Sequence, residues 1–367
     1  MFDRRLIQNF DWILLLSLLL IAAMSILNLY SATYTLREVG GSQVFIKQIY
    51  WFLIGFSLCL LMTTFDYHVL ERLAYPIYIS SIILLVLVLF MGKVTSGSQR
   101  WLAIGSISFQ PSELAKIALV VVFAKFFGEK GGYRDYRLRD IWQAFVLMGI
   151  PSALILKEPD LGTALLLVAV AGTMIFFVKV HWKSILILVV STIFVAPFVW
   201  FNLKEYQQLR ILTFLRPDMD PLGAGYHINQ SKIAIGSGLF WGKGFLEGSQ
   251  TRLHFLPEQH TDFAFSVLAE EWGFAGSIVL LLLYLFLILW GLNIAKNSKD
   301  RFGSIMAVGI VAVIFWQVII NVGMVTGLLP VVGIPLLLFS YGGSSLISTM
   351  IAMGLLMNIS MRRFMFQ

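Results

Sequence analysis

The feature that most constrains this chain is its long stretches without a charged side chain. The longest, Phe302–Met361, runs for 60 residues, and the first, Trp12–Leu36, runs for 25. A transmembrane helix needs about 20 apolar residues, because it must cross a hydrocarbon core about 30 Å thick with its backbone polar groups bonded internally. These stretches therefore predict a polytopic α-helical membrane protein.

Composition supports a membrane protein and excludes several other classes. Hydrophobic residues make up 58% of the chain and charged residues 13%, whereas soluble domains average about 25% charged residues. The net charge of +7 is then best explained by basic cytoplasmic loops, so we expect no nucleic-acid partner. The single cysteine, Cys59, excludes a disulfide framework. We predict one integral membrane domain over residues 1–367.

Runs of spanning length predict an all-α fold with about ten transmembrane helices. The predicted spans are 12–36, 48–65, 73–92, 111–127, 141–156, 161–178, 184–203, 272–295 and two helices within 302–361. If the N-terminus is cytoplasmic, the cytoplasmic segments hold fifteen Lys and Arg residues and the short outer segments hold five. This bias is typical of cytoplasmic loops, so both termini are predicted to be cytoplasmic.

A long outer loop, residues 202–261, separates the seventh and eighth predicted spans. It contains seven glycines, three prolines and three of the five histidines. Loops of this length are usually functional or disordered. Its many apolar residues favour a folded extracytoplasmic cap.

Two ionisable residues lie inside the fourth predicted span. Charged groups at membrane depth are costly and face the protein interior, and the i, i+3 spacing of Glu113 and Lys116 places them on one helix face. Two interpretations remain open: a structural ion pair, or a lysine that contacts a lipid pyrophosphate and is held by the glutamate. Just before this span, Arg100 and Trp101 could anchor the chain at the interface or contact a phosphate.

Asp160 precedes the sixth predicted span in the sequence Glu158-Pro159-Asp160. An aspartate in this position caps a helix through the N–H groups of its first turn. Capping and a functional role are both consistent with the sequence here.

The densest polar cluster, Leu256–Asp262, ends at the start of an apolar helix that also carries Glu270 and Glu271. A helix N-terminus favours the ionised form of Asp262, which could accept a proton from a sugar hydroxyl, hold a divalent cation, or only complement the helix dipole. A metal site of His254, His260 and Asp262 has no recognised ligand spacing. A single prominent carboxylate also differs from the close pair used by retaining glycosidases.

Prolines and glycines interrupt the last apolar run between Gly327 and Ser344. Irregular backbone at membrane depth is tolerated where it lines a cavity or is buried in protein. Broken segments of this kind occur at transporter sites, so transport remains a second interpretation.

Several motifs, in order along nearly the whole chain, resemble the SEDS family (shape, elongation, division and sporulation proteins), and its rod-elongation branch more than its division branch. The motifs are Gln99–Trp101, Phe109–Lys116, Glu158–Thr163, Gly223–His227, Gln230–Gly236, Leu256–Phe263 and Ser340–Ser344. One departure is Leu337, where many relatives have a proline.

The resemblance implies a peptidoglycan glycosyltransferase that polymerises lipid II on the outer face of the bacterial inner membrane, with Asp262 as the catalytic residue. It implies an inverting reaction that releases undecaprenyl pyrophosphate. The substrate-binding candidates are Glu113, Lys116, Arg100, Trp101, Asp160, Arg210, Lys232, Lys243 and His260. No organic cofactor is expected, and Mg²⁺ or Mn²⁺ would assist the leaving group.

The resemblance also implies protein partners. They are a class B penicillin-binding transpeptidase and proteins of the rod complex, with Ile278–Leu289 as an expected docking surface. The alternative function is a lipid II flippase. This function would use the intramembrane pair of Glu113 and Lys116 and the interrupted apolar run 302–361.

Overall fold

The structure is a computed structural model that describes residues 9–34, 42–95, 98–105, 107–129, 136–202, 205–216, 223–253, 255–256 and 258–363. Its helices are α1 Trp12–Ala32, α2 Ser42–Thr64, α3 His68–Met91, α4 Pro111–Glu129, α5 Leu138–Lys157, α6 Leu161–Phe177, α7 Trp182–Asn202, α8 Glu205–Leu215, α9 Ala224–Ser237, α10 Ser249–Arg252, α11 Ala264–Lys296, α12 Arg301–Val325 and α13 Gly343–Arg362. The strands are β1 Lys93–Thr95, β2 Ser98–Ile104 and β3 Ile107–Phe109.

The predicted helical membrane fold is confirmed. Among the described residues, 7 helices are long and apolar enough to cross a membrane, namely α1, α2, α3, α5, α11, α12 and α13, and α6 is a shorter apolar helix. Each predicted span coincides largely with one helix. The count of ten spans stays a prediction.

The small sheet is a departure from the all-α prediction. Its strand order is β1-β2-β3, and both pairs are antiparallel, with Lys93 opposite Trp101. Successive side chains of a strand point to opposite faces, so Arg100 and Trp101 project to opposite sides of β2.

The chain forms two compact units. The first is built from the described parts of Met1–Phe65, Leu212–Ile294 and Ile314–Gln367, and the second from those of Asp66–Ile211 and Ala295–Val313. The single membrane domain over residues 1–367 stays a prediction.

A buried aspartate joins three helices of the first unit. Asp11 caps α1 by accepting from the Leu14 N–H at 3.1 Å. It also accepts from Trp290 Nε1 of α11 at 3.0 Å and from Ser360 Oγ of α13 at 2.7 Å. A buried carboxylate is costly unless its oxygens are bonded, so these donors stabilise the packing of α1, α11 and α13.

Helix α11 is broken at Gly273, whose φ of 64° lies outside the helical range. The loop after α9 fills the break with backbone hydrogen bonds. The N–H groups of Lys243 and Gly244 donate to the carbonyls of Glu270 and Glu271 at 3.0 Å, and the N–H of Phe274 donates to the carbonyl of Leu239 at 2.9 Å. The loop therefore supplies partners that a continuous helix would provide internally.

Helix α11 begins at Ala264, in agreement with the apolar helix predicted to start at Asp262 and to carry Glu270 and Glu271. The eighth predicted span, 272–295, covers only the later part of this helix, because it was limited to a run without charged residues. Glu270 and Glu271 are both buried, at 0% and 2% exposure, because other segments supply their partners. Within the predicted cap, residues 202–261, the structure describes the helices α8, α9 and α10.

Candidate active site

Asp262 lies in the turn that leads into α11, two residues before the helix begins at Ala264. It is half-buried. The side chain of Thr261 turns back to the carbonyl oxygen of Glu258 at 3.3 Å and to its carboxylate at 3.2 Å. This places Asp262 close to the positive end of the helix dipole, as the sequence predicted.

The irregular segment after α12, residues 326–342, contacts this turn. Asn321 of α12 is fully buried, and its Nδ2 donates to the carbonyls of Asp262 at 3.0 Å and Ile334 at 2.8 Å. A Cβ at Gly333, where φ is +71°, would lie 3.4 Å from Asp262 Oδ2. The carboxylate therefore faces the backbone of Gly333, a residue without a side chain.

Helix α9 is fixed beside the same turn through Ser231. This buried hydroxyl donates to the carbonyl of Val325, at the end of α12, at 2.6 Å and lies 2.8 Å from Ser266 Oγ in the first turn of α11. The next residue, Lys232, is exposed, and its side chain passes so close to Gly327 that any Cβ there would collide with it. A cation near a helix C-terminus is electrostatically favourable.

His260 is held by its backbone as well as its ring. Its carbonyl accepts from the Tyr341 N–H at 2.9 Å, and the two rings lie 6.0 Å apart. Burial lowers the pKa of the imidazole, and Glu258 opposes that shift. The lowered pKa favours the neutral imidazole, whose unprotonated nitrogen can accept a hydrogen bond.

Lys243 forms an ion pair within the first unit. Its Nζ lies 2.7 Å from Glu270 Oε1 and 2.7 Å from Ser249 Oγ. Glu270 also accepts from the backbone N–H of Gln250 at 2.9 Å and from the Thr251 hydroxyl at 3.2 Å. The pair fixes the loop and α10 to α11, and the predicted contact of Lys243 with substrate stays a prediction.

The second unit contains the predicted intramembrane pair. Lys116 Nζ lies 2.9 Å from Glu113 Oε2 in the first turns of α4, and both side chains are almost completely buried. The predicted i, i+3 ion pair is confirmed. Its predicted contact with a pyrophosphate stays a prediction.

Asp160 caps α6 as predicted, accepting from the Thr163 N–H at 3.0 Å and from its hydroxyl at 2.8 Å. Arg100 of β2 reaches the turn Glu158–Asp160 between α5 and α6, which is called the corner from here on. Its NH1 lies 3.4 Å from Asp160 Oδ2, and its NH2 donates to the Pro159 carbonyl at 2.7 Å. Trp101 is half-buried on the other face of β2, and Arg210 is half-buried on α8. The cap at Asp160 is confirmed, and its contact with substrate stays a prediction.

Sequence reasoning did not identify Asn321 or Gly333. A signal for Asn321 was present: Gln317 and Asn321 are polar residues at i, i+4 spacing in a charge-free helix, and polar groups at membrane depth face the protein interior. Gly333 carried no such signal, because many glycines serve only as turns.

The described residues contain no cluster of three or more His, Cys, Asp or Glu side chains that could hold a metal ion. His254 of the alternative metal site lies outside the described residues. Mg²⁺ is often held by one or two carboxylates together with substrate phosphates. The predicted divalent cation at Asp262 stays a prediction.

Comparisons with known proteins agree with this architecture. A model of the FtsW/RodA/SpoVE family, described as cell cycle proteins, matches residues 11–364. The chain is 44% identical over 362 residues to the peptidoglycan glycosyltransferase MrdB of Escherichia coli strain K12, covering 97% of this chain and 95% of MrdB. It is 33% identical to the peptidoglycan glycosyltransferase RodA of Treponema pallidum, covering 97% and 99% of the two chains.

Solved structures show the same similarity. A chain of a peptidoglycan synthase complex, described as coordinating polymerization and crosslinking, aligns with a TM-score of 0.83 and 32% identity over 97% of this chain and 98% of that chain. The rod shape determining protein RodA of Thermus thermophilus aligns with a TM-score of 0.72 and 28% identity over 97% and 98%. This chain is therefore a multi-pass membrane protein that belongs to the FtsW/RodA/SpoVE family of cell cycle proteins.

Proposed function

We propose that this chain is a peptidoglycan glycosyltransferase of the bacterial inner membrane, which polymerises lipid II into β-1,4-linked glycan strands for cell elongation and rod shape. Its relatives in Escherichia coli and Treponema pallidum carry the same activity in their names. The observation that carries the proposal for this chain is the single carboxylate of Asp262, at a helix entrance, facing the side-chain-free backbone of Gly333.

In this reaction the 4-hydroxyl of one lipid-linked disaccharide attacks the anomeric carbon of another sugar, and the bond to undecaprenyl pyrophosphate breaks. An α-linked donor that gives a β product is inverted, which requires one base and no covalent enzyme intermediate. Asp262 accepts the hydroxyl proton. General-base catalysis of this kind contributes about 10² to 10⁴-fold in rate.

The leaving pyrophosphate develops negative charge that cations must stabilise. Lys116, Arg210 and Lys232 are the candidates, with Glu113 holding Lys116 in place. Mg²⁺ or Mn²⁺, when bound with the pyrophosphate, would supply further positive charge. The reaction occurs on the extracytoplasmic side and both termini are cytoplasmic, in keeping with the distribution of Lys and Arg.

The test is polymer formation from purified lipid II by the purified chain and by Asp262→Asn. The variant should insert and fold but make no glycan. Glu258→Gln is the matched control, because Glu258 is an exposed carboxylate in the same turn, and it should retain polymerisation. Normal polymer from Asp262→Asn would refute the role of Asp262.

A second function, lipid II transport, is favoured by one observation: the ion pair of Glu113 and Lys116, in the fourth predicted span, is almost completely buried. Transport requires the lipid headgroup to cross the bilayer of vesicles that contain the purified chain. Crossing no faster than in empty vesicles would exclude it. Crossing without polymer formation would favour it over polymerisation.

We further propose that a class B penicillin-binding transpeptidase and other rod-complex proteins bind this chain, consistent with the synthase complex to which it is similar. The expected surface lies on α11, where Val279, Leu282 and Leu289 are each more than half exposed. Leu282→Arg should reduce co-purification of the transpeptidase. Unchanged co-purification would place the contact elsewhere.

A further inference from the structure

Glu158 is a buried acid without an assigned function. It follows the last residue of α5, and its own N–H donates to the Ile155 carbonyl at 3.1 Å. The residue is 1% exposed, and neither carboxyl oxygen has a hydrogen-bond partner in the described part of the chain. Buried polar groups are nearly always bonded, so each exception requires an explanation.

Arg100, at the same corner, has a second polar atom without a hydrogen-bond partner among the described residues. The guanidinium of Arg100 uses NH2 for the Pro159 carbonyl and NH1 for Asp160. Its Nε is buried and has no partner among the described residues. The Arg100 side chain is 18% exposed, and its charge acts on Glu158. Among the described residues, Arg100 thus has one donor without a partner and Glu158 has two such acceptor oxygens.

The protonation state of Glu158 determines what the corner can bind. Burial, assisted by the charge of Asp160 and opposed by Arg100, raises the pKa of Glu158 to about 8. At pH 7 the group is mostly a neutral acid, which offers one O–H donor and one carbonyl acceptor. With Arg100 Nε, the corner presents two donors and one acceptor.

This set of two hydrogen-bond donors and one acceptor favours an uncharged ligand group. A phosphate oxygen only accepts hydrogen bonds and would leave the Glu158 carbonyl oxygen unpaired, which is costly in a buried site. A sugar hydroxyl, or the amide of an N-acetyl group, both accepts and donates, and it pairs with all three groups. Asp160 is already bonded by Thr163 and Arg100.

We propose that Glu158 and Arg100 form a binding site for a hydroxyl or N-acetyl group of the lipid-linked sugar substrate, in which Glu158 acts as a neutral hydrogen-bonding acid. The inference rests on the proposed function, because it takes the sugar substrate from there. It assigns to Glu158 a role in substrate binding, separate from the proton transfer at Asp262.

The experiment measures KM and kcat for lipid II at pH 7 and pH 9 with the native chain, Glu158→Ala, Glu158→Gln and the control Glu129→Gln. Glu129 is an exposed carboxylate at the end of α4. Glu158→Ala should raise KM about tenfold with little change in kcat, the effect of losing one or two hydrogen bonds. Glu129→Gln should behave as the native chain does.

The comparison of KM at pH 7 and pH 9 tests directly whether Glu158 binds as a neutral acid. Among the described residues, the charged groups that act on Glu158 are Asp160 and Arg100. Ionisation above pH 8 removes the O–H donor, so the KM of the native chain should rise between pH 7 and pH 9. The amide of Glu158→Gln keeps N–H donors and a carbonyl acceptor at every pH, so its KM should not rise over this range.

An unchanged KM in a folded Glu158→Ala variant would overturn the inference and leave only an ordered water at the corner. A Glu158→Gln variant whose KM matches that of Glu158→Ala would overturn the neutral-acid role. If the native chain makes no polymer, the proposed function fails separately. In that case, the inference is tested by the equilibrium affinity for lipid II of Asp262→Asn and of the double variant that also carries Glu158→Ala. Equal affinities would refute the inference.

Discussion

Asn321 offers the sharpest test of how the site is held. Its amide joins the carbonyls of Asp262 and Ile334. Replacing it with leucine, which is similar in size, removes both bonds and leaves the buried carbonyl of Ile334 without this donor. A net hydrogen bond contributes about 0.5–1.5 kcal/mol, and an unpaired buried group costs about 1–3 kcal/mol. We expect Asn321→Leu to lower the free energy of unfolding by about 2–4 kcal/mol.

The same substitution should slow polymerisation of lipid II. The lost bond to the Asp262 carbonyl no longer fixes the carboxylate, and about 1.4 kcal/mol at the transition state is a tenfold loss of kcat. Gln317→Leu is the control. Gln317 lies one turn earlier on α12 and donates to the Pro335 carbonyl at 3.1 Å, so its loss should reduce stability more than rate. An Asn321→Leu variant that is destabilised but polymerises at the native rate would refute the argument.

Three further predictions concern other positions. Lys243→Met leaves the buried Glu270 uncompensated and should lower the free energy of unfolding by about 3–5 kcal/mol; native stability with a raised KM would instead indicate a substrate contact. Gly242→Ala should be strongly destabilised in a thermal unfolding assay, because φ is +82° and the Cβ would collide with the Glu271 carbonyl. The pKa of Glu158 is 4.5 in the unfolded chain and about 8 in the folded chain, so the free energy of unfolding should fall as pH rises from 4.5 to 8 and stay level above pH 8. The thermal midpoint of Glu158→Gln should lack this decline. An equal decline in the native chain and the variant would contradict the prediction.

The sequence predicted those features that depend on local spacing. Charge-free runs located the helices, and the i, i+3 spacing of Glu113 and Lys116 predicted their ion pair. Asp160 was predicted as a helix cap, and its side chain accepts from the N–H of Thr163. Each of these rests on contacts within one or two turns of helix.

Features that depend on distant partners were missed. The predicted span within α11 starts too late, at Trp272, because Glu270 and Glu271 are charged. Their partners, Lys243 for Glu270 and Ser31 for Glu271, lie far away in the chain. The contact of Asn321 with Asp262 spans 59 residues, and no local pattern specifies it.

The break in α11 has a consequence for how this sequence can diverge. The joint with the loop is made by peptide groups, and the bonds from Phe274 to Leu239 and from Ala275 to Phe240 use no side chain. Leu239 and Phe240 are exposed, so these bonds do not depend on which side chains the two residues carry. A Cβ at Gly238 or Gly273 would collide with backbone across the joint. An alignment of relatives should therefore show variable residues at the loop tip between glycines that do not change.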